Sequence, residues 1–272
     1  MSGSGSAAAS GSGVRAKASK AAEDVTDSRV MTAGARAGYA VNGVLHLLIA
    51  WLGLQLAFGG YGAKADPSGA MSLVASTSVG LVVLIAIVVG FTLLAVWQIG
   101  ECIRGPRTRD RLKAAAKAIV YLALALSAVS FLMGTGKSGQ AQASDMTATL
   151  MNMPFGPVLV VVGGLAVAGM GVYHIAKGWT ERFRRDLASS PSRFTVVAGK
   201  VGYIARGIAF IAAGIGIVVA GVTHHPSASR GLDGALHDML ALPWGQTIVA
   251  LVALGFAAYG FYSFSRARRA RT

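Results

Sequence analysis

Three polar residues stand at matching places near the start of three apolar runs: Asn42, Lys117 and Arg206. Each lies six residues after a cation, Arg36, Arg111 or Lys200, and four residues before His46, Tyr121 or Phe210. A helix turns once in about 3.6 residues, so each polar residue shares a helix face with the one that follows it by four. Gathered around an axis, they would make a cluster with excess positive charge, suited to a phosphate or carboxylate. Arg36, Asn42, Lys117 and Arg206 are therefore the candidate anion- or lipid-binding residues. The plainer alternative is that Lys117 and Arg206 reach back along their helices to place their charges among lipid headgroups. His46 is the candidate for a polar relay with Asn42 or His174. A hydrogen bond across a helix interface is the competing role for such a histidine.

Other chemistry finds no support. The chain has no Gly-x-Ser-x-Gly elbow, no phosphate-binding Gly-x-x-x-x-Gly-Lys-Ser/Thr loop and no His-Glu-x-x-His pair, so no enzymatic activity is expected. His224, His225 and His237, with Asp233 and Asp238, fit no standard ligand spacing, and neither a metal nor a cofactor is expected. The single cysteine, Cys102, cannot form an intrachain disulfide. Glu101 is the one acidic residue at that end of a span and is expected to bridge to another repeat. Trp97, Tyr173 and Tyr262 are expected to form an aromatic belt.

The elements that carry these residues are six apolar runs, near 39–58, 79–99, 114–133, 157–176, 203–222 and 247–264. About 20 helical residues cross the ~30 Å hydrocarbon core. Charged residues make up 13% of the chain and avoid the run interiors. A soluble helical protein would need polar faces on most of these helices. The net charge of +14 is explained by where the cations sit. Only Lys64, Lys137 and Arg230 fall in the first, third and fifth connections; the rest lie on the tails, on the other two connections, or at the span ends beside them. That bias predicts a cell-membrane protein with both termini cytoplasmic, and it makes nucleic acid an unneeded partner.

The runs pair into repeats. Gly80, Gly156 and Gly245 each open the second helix of a pair; seventeen residues later come Trp97, Tyr173 and Tyr262, and four further on Glu101, Lys177 and Arg266. Pro154 and Pro243 precede two of the openings. Before each opening, a stretch of apolar and small residues predicts a short interfacial helix, clearest at Leu236, Met239 and Leu240. The predicted fold is an all-α integral membrane protein, six transmembrane helices as three tandem parallel two-helix repeats with pseudo-threefold symmetry. The expected organisation is a flexible arm 1–33, repeats at 34–103, 104–180 and 181–265, and a basic tail 266–272.

The Ala-Arg-x-Gly-Tyr opening at Ala35 to Tyr39, the aromatic-Gly start of the second helices and the threefold repetition resemble the bacterial membrane proteins grouped as domain of unknown function 1206. The middle copy departs from the pattern, with Ala114 and Ala118 where tyrosine and glycine stand elsewhere. The resemblance implies a membrane fold and brings no catalytic residue. Two functional expectations stand beside each other. One is a non-enzymatic structural or binding protein that engages anionic lipid or a protein partner through its basic face. The other is a carrier or channel for a small anionic solute, with an axial site between the repeats.

Overall fold

The computed structural model describes residues 29–59, 62–187 and 191–269. Most of the expected N-terminal arm and the last three residues of the basic tail lie outside them. Six long helices, α1 (Arg29–Ala57), α3 (Gly80–Arg104), α4 (Thr108–Leu132), α6 (Gly156–Trp179), α7 (Arg193–Thr223) and α9 (Gly245–Arg269), are joined in three successive pairs through three short ones at one end. The short helices are α2 (Pro67–Ala75), α5 (Gly139–Met151) and α8 (Gly231–Leu240), one in each predicted interfacial stretch. No strand occurs among the described residues.

Each long helix contains a window of mean hydropathy between 1.6 and 2.7, and large apolar side chains such as Val82 (68% exposed), Ile119 (69%) and Leu165 (59%) face outward from them. A water-soluble surface does not carry apolar patches of this extent. In hydrocarbon, by contrast, a helix satisfies every mid-span backbone group internally. The chain is a multi-pass membrane protein.

The recurrent glycine that opens each second helix has a steric cause. A Cβ on Gly80, Gly156 or Gly245 would collide with the carbonyl oxygen of Val74, Leu150 or Leu240, in or at the end of the short helix just before it. Phe155 and Trp244, immediately before two of these glycines, adopt positive φ (60° and 62°) and are 82% and 83% exposed. They contribute little to the interior and stand at the start of a span, a place where aromatic rings are favoured as interfacial anchors.

Packing runs α4, α3, α1, α9, α7, α6, an arc in which each helix rests on the next. The most extensive contacts cross the repeat boundaries: α3 on α4, α6 on α7 and α9 on α1. Small residues permit this. A Cβ on Gly171 would stand 2.6 Å from the Gly207 oxygen, and one on Gly43 3.1 Å from the Gly260 oxygen. The consecutive spans α4 and α6 are the two ends of the arc and share no extended contact.

At the loop end the three connections are tied together. The Ala65 N–H donates to Asp233 Oδ1 at 2.9 Å, the Gly139 N–H to Ser68 Oγ at 2.5 Å, and Ser68 Oγ donates to Asp66 Oδ1 at 2.7 Å. Asp66 also caps α2 by accepting from the Gly69 N–H.

Candidate functional site

At the opposite, basic end, where α1, α3, α4 and α9 meet the 3-10 turn Arg182–Asp186, lies a cavity of about 530 Å³. Its charged wall consists of Arg104, Lys113, Lys117, Arg185 and Arg266 facing Glu101, Asp110 and Asp186. Each carboxylate already has a cation: Glu101 pairs with Arg104 at 2.5 Å, Asp110 with Lys113 at 3.9 Å, and Asp186 with Lys177 at 2.7 Å. Among the described residues, Lys117, Arg185 and Arg266 have no salt-bridge partner. Burial alone would push the Asp186 carboxyl up, but Arg266 and Lys177 outweigh it and hold the group below the usual carboxylate range.

Arg266 is the centre of the wall. Its guanidinium lies 4.2 Å from the centre of the Tyr39 ring, and its Nε is enclosed without a hydrogen-bond partner among the described residues. Gln98, only 4% exposed, lines the same cavity and makes no hydrogen bond among those residues. An enclosed donor with no acceptor is costly, and an anion would relieve it.

Deeper in the bundle an aromatic cluster surrounds Arg206. Its guanidinium stacks 4.2 Å from the Tyr259 ring and 5.4 Å from Phe210. Tyr203 sits 5.3 Å from Tyr259, and Lys177 lies 4.9 Å over the Tyr203 ring. Tyr121 of α4 is an electrostatic neighbour of Tyr39, Tyr259, Arg206 and Arg266, so α4 contributes to the same central space.

The residues singled out from sequence divide between these places. Lys117 lines the cavity, with Arg266, Lys177 and Asp186 as electrostatic neighbours. Arg206 lies in the deeper cluster. Asn42 is buried and donates from Nδ2 to Ser263 Oγ at 3.3 Å, an α1 to α9 link. Arg36 is exposed and is absent from the cavity wall. His46 and His174 each place Nδ1 against a carbonyl of their own helix, Asn42 at 2.8 Å and Met170 at 2.7 Å. The His46 ring packs on Tyr259 at 4.7 Å and that of His174 on Tyr203 at 5.7 Å, so two tyrosines separate the histidines.

Two expectations need correction. Glu101 pairs within its own helix, three residues from Arg104, because that cation is nearer than any on a neighbouring repeat. Trp97 and Tyr262 are buried, and the Tyr262 hydroxyl donates to the Phe183 carbonyl at 3.3 Å; only Tyr173, 42% exposed, remains available to a belt. Arg266 and Gln98 were missed. The register of Arg266 with Glu101 and Lys177 was visible, but it sits beside the tail cations and reads as a topology signal. Gln98 is a lone amide near the end of an apolar run and carried no pattern.

Six apolar helices in three sequence repeats, with short helices at one end and a cationic cavity at the other, define a class of multi-pass membrane protein. The chain belongs to the family described as Domain of Unknown Function (DUF1206), which it matches three times in tandem, over residues 37–105, 112–181 and 201–270. Each match begins just past an opening cation, Arg36, Arg111 or Lys200. The chain is similar to Uncharacterized protein YxxB of Bacillus subtilis (strain 168), with 28% identity over 244 residues that span 85% of this chain and 88% of the relative. No solved structure matches it.

Proposed function

We propose that this is a non-enzymatic cell-membrane protein with both termini in the cytoplasm, whose cavity binds the phosphate of an anionic lipid headgroup. The observation that carries the reading is the surplus at one place: Lys117, Arg185 and Arg266 line the cavity while every carboxylate there is matched. Cations beside a span attract acidic headgroups by about 1 kcal/mol each, and an enclosed guanidinium adds geometric selection. The cation bias toward this end supports its cytoplasmic placement. The cyclic succession of contacts, second helix of one repeat on first helix of the next, supports a pseudo-threefold plan of parallel repeats. A protein partner on the same basic face is compatible with this reading.

The second reading, a carrier for a small anionic solute, is favoured by one observation. Arg206 lies about 26 Å, at the helical rise, from the loop end of α7 and has no salt bridge among the described residues. Against it, no acidic residue lies mid-span to couple an ion.

Native mass spectrometry of the purified protein separates the two. Wild type is expected to retain anionic phospholipid, and Lys117→Gln with Arg266→Gln to lose it while Arg206→Gln keeps it. A water-soluble anion retained only when Arg206 is present would favour the carrier. Equal lipid retention by every variant would remove the headgroup site.

A further inference from the structure

We infer that the gap between α4 and α6 is an acyl-chain cleft, so that the lipid held at the cavity is one specific ligand, entering sideways from the bilayer. This rests on the headgroup reading above and adds where the tail goes.

Five successive junctions of the arc are packed, and the sixth, between α4 and α6, is not. These are also the two least buried spans. On α6, Gly164, Gly171 and Gly178 are taken up by the close approach to α7. The buried positions of α4 are Ala114, Ala118, Ala125 and Ala128, and those of α6 are Gly156, Val160, Gly164, Gly171 and Gly178. The large side chains left exposed on these two helices, among them Leu122, Leu126, Val162 and Leu165, are apolar.

The register joins the gap to the cavity. Lys117 of α4 lines the cavity, Val120 (55% exposed) lies one turn along, and Leu124, seven residues from Lys117, falls on the same face and is partly buried. On α6, Met170 (45% exposed) lies seven residues from Lys177, which holds Asp186 of the cavity wall. The basic end of this register is thus cationic, and the positions beyond it, Val120, Leu124 and Met170, are apolar. A phosphate-headed amphiphile has the same division of charge, with a head for Lys117 and Arg266 and a chain for the space beyond them. A free phosphate would satisfy the cations and leave the cleft empty; a second copy docking on this face would bring it no anion.

The test uses the delipidated full-length protein with two probes, dioleoyl phosphatidylglycerol and sn-glycerol 3-phosphate. Native mass spectrometry follows the first and thermal stabilisation the second. In wild type one lipid per chain is expected to be retained, and both probes to bind. Val120→Trp with Met170→Trp should weaken lipid retention at least ten-fold while glycerol phosphate still stabilises, which also reports that the variant is folded. Arg266→Gln with Lys117→Gln should lose both. Lipid retained by the tryptophan variant as by wild type would overturn the cleft and leave the headgroup site standing; lipid retained by the cation variant would overturn the headgroup site itself. A lipid with a photoreactive group at mid-chain gives an independent result on wild type. Labelling confined to α4 and α6 supports the cleft, and even labelling of all six spans refutes it.

Discussion

The guanidinium of Arg266 lies 4.2 Å from the centre of the Tyr39 ring, which fastens the end of the last span to the beginning of the first. The contact closes the sequence-distant side of the arc at the wall of the cavity, next to the α1 to α9 link between Asn42 and Ser263. It also leaves the Arg266 Nε enclosed without a hydrogen-bond partner among the described residues. One side chain therefore serves both the closure of the bundle and the candidate anion site.

Tyr39→Leu removes the aromatic face and keeps most of the apolar volume. A partly desolvated cation–π contact is worth about 0.5–2 kcal/mol, so a loss of stability of that order is expected in detergent, read by thermal unfolding. Anion-dependent stabilisation should survive in this variant and vanish in Arg266→Gln. Identical behaviour of the two would mean that Arg266 acts only as a clasp.

The α6 to α7 junction should tolerate no added volume at its glycine contacts. In Gly171→Val the new atoms meet the Gly207 oxygen, where even a Cβ would stand 2.6 Å away. Backbone cannot yield as a flexible side chain does, so a loss of about 1–3 kcal/mol or more is expected. Gly163→Ala is the control on the same helix, since nothing lies within 4 Å of its Cβ position. It should be neutral or gain up to about 1 kcal/mol from helix propensity. Size-exclusion profiles after a heating series compare the two.

How much of this was legible in the sequence follows from which patterns are local. Length and hydropathy announce a span wherever it sits, so all six helices and the three short ones could be placed. The glycine openings repeated because a steric demand repeated, at Gly80, Gly156 and Gly245 alike. Partner choice among helices is different, since every apolar face in lipid looks much the same. Nothing near Lys117 or Lys177 announces that α4 and α6 part company. The cavity is completed by the Arg182–Asp186 turn meeting α1, α3, α4 and α9, a tertiary arrangement with no local pattern, and so Arg266 and Gln98 could not be told from ordinary span-end residues.

Asp186 lies outside the spans, and its pairing should hold through mild acid. Burial would raise its pKa, but Arg266 and Lys177 together depress it below the unfolded value of about 3.9. A depressed carboxylate contributes stability that is fully present above its unfolded pKa and is lost as pH falls through the folded pKa. The wild type should accordingly keep this contribution down to about pH 4 and shed it below. Asp186→Asn should be less stable than wild type at pH 7, with the difference closing in stronger acid. A difference independent of pH would assign the residue a packing role alone.

The orientation of the bundle can be read directly through its single cysteine. Cys102 lies at the basic end, near the close of α3, whereas Ser227 is exposed in the 3-10 turn Pro226–Ala228 at the loop end. With Lys64, Lys137 and Arg230 the only cations in the three loop-end connections, the bias of positive charge predicts that this end faces outside the cell. A membrane-impermeant maleimide added to intact cells should therefore label Ser227→Cys in a Cys102→Ser background and leave native Cys102 unlabelled. Opening the membrane should then bring Cys102 into reach. The reverse pattern would put the cationic cavity on the outer surface, away from the anionic lipid of the inner leaflet, and would withdraw the electrostatic argument for a headgroup ligand. Labelling of both sites in intact cells would mean that the chain inserts in two orientations, and the cation bias would then not determine the fold's direction in the membrane.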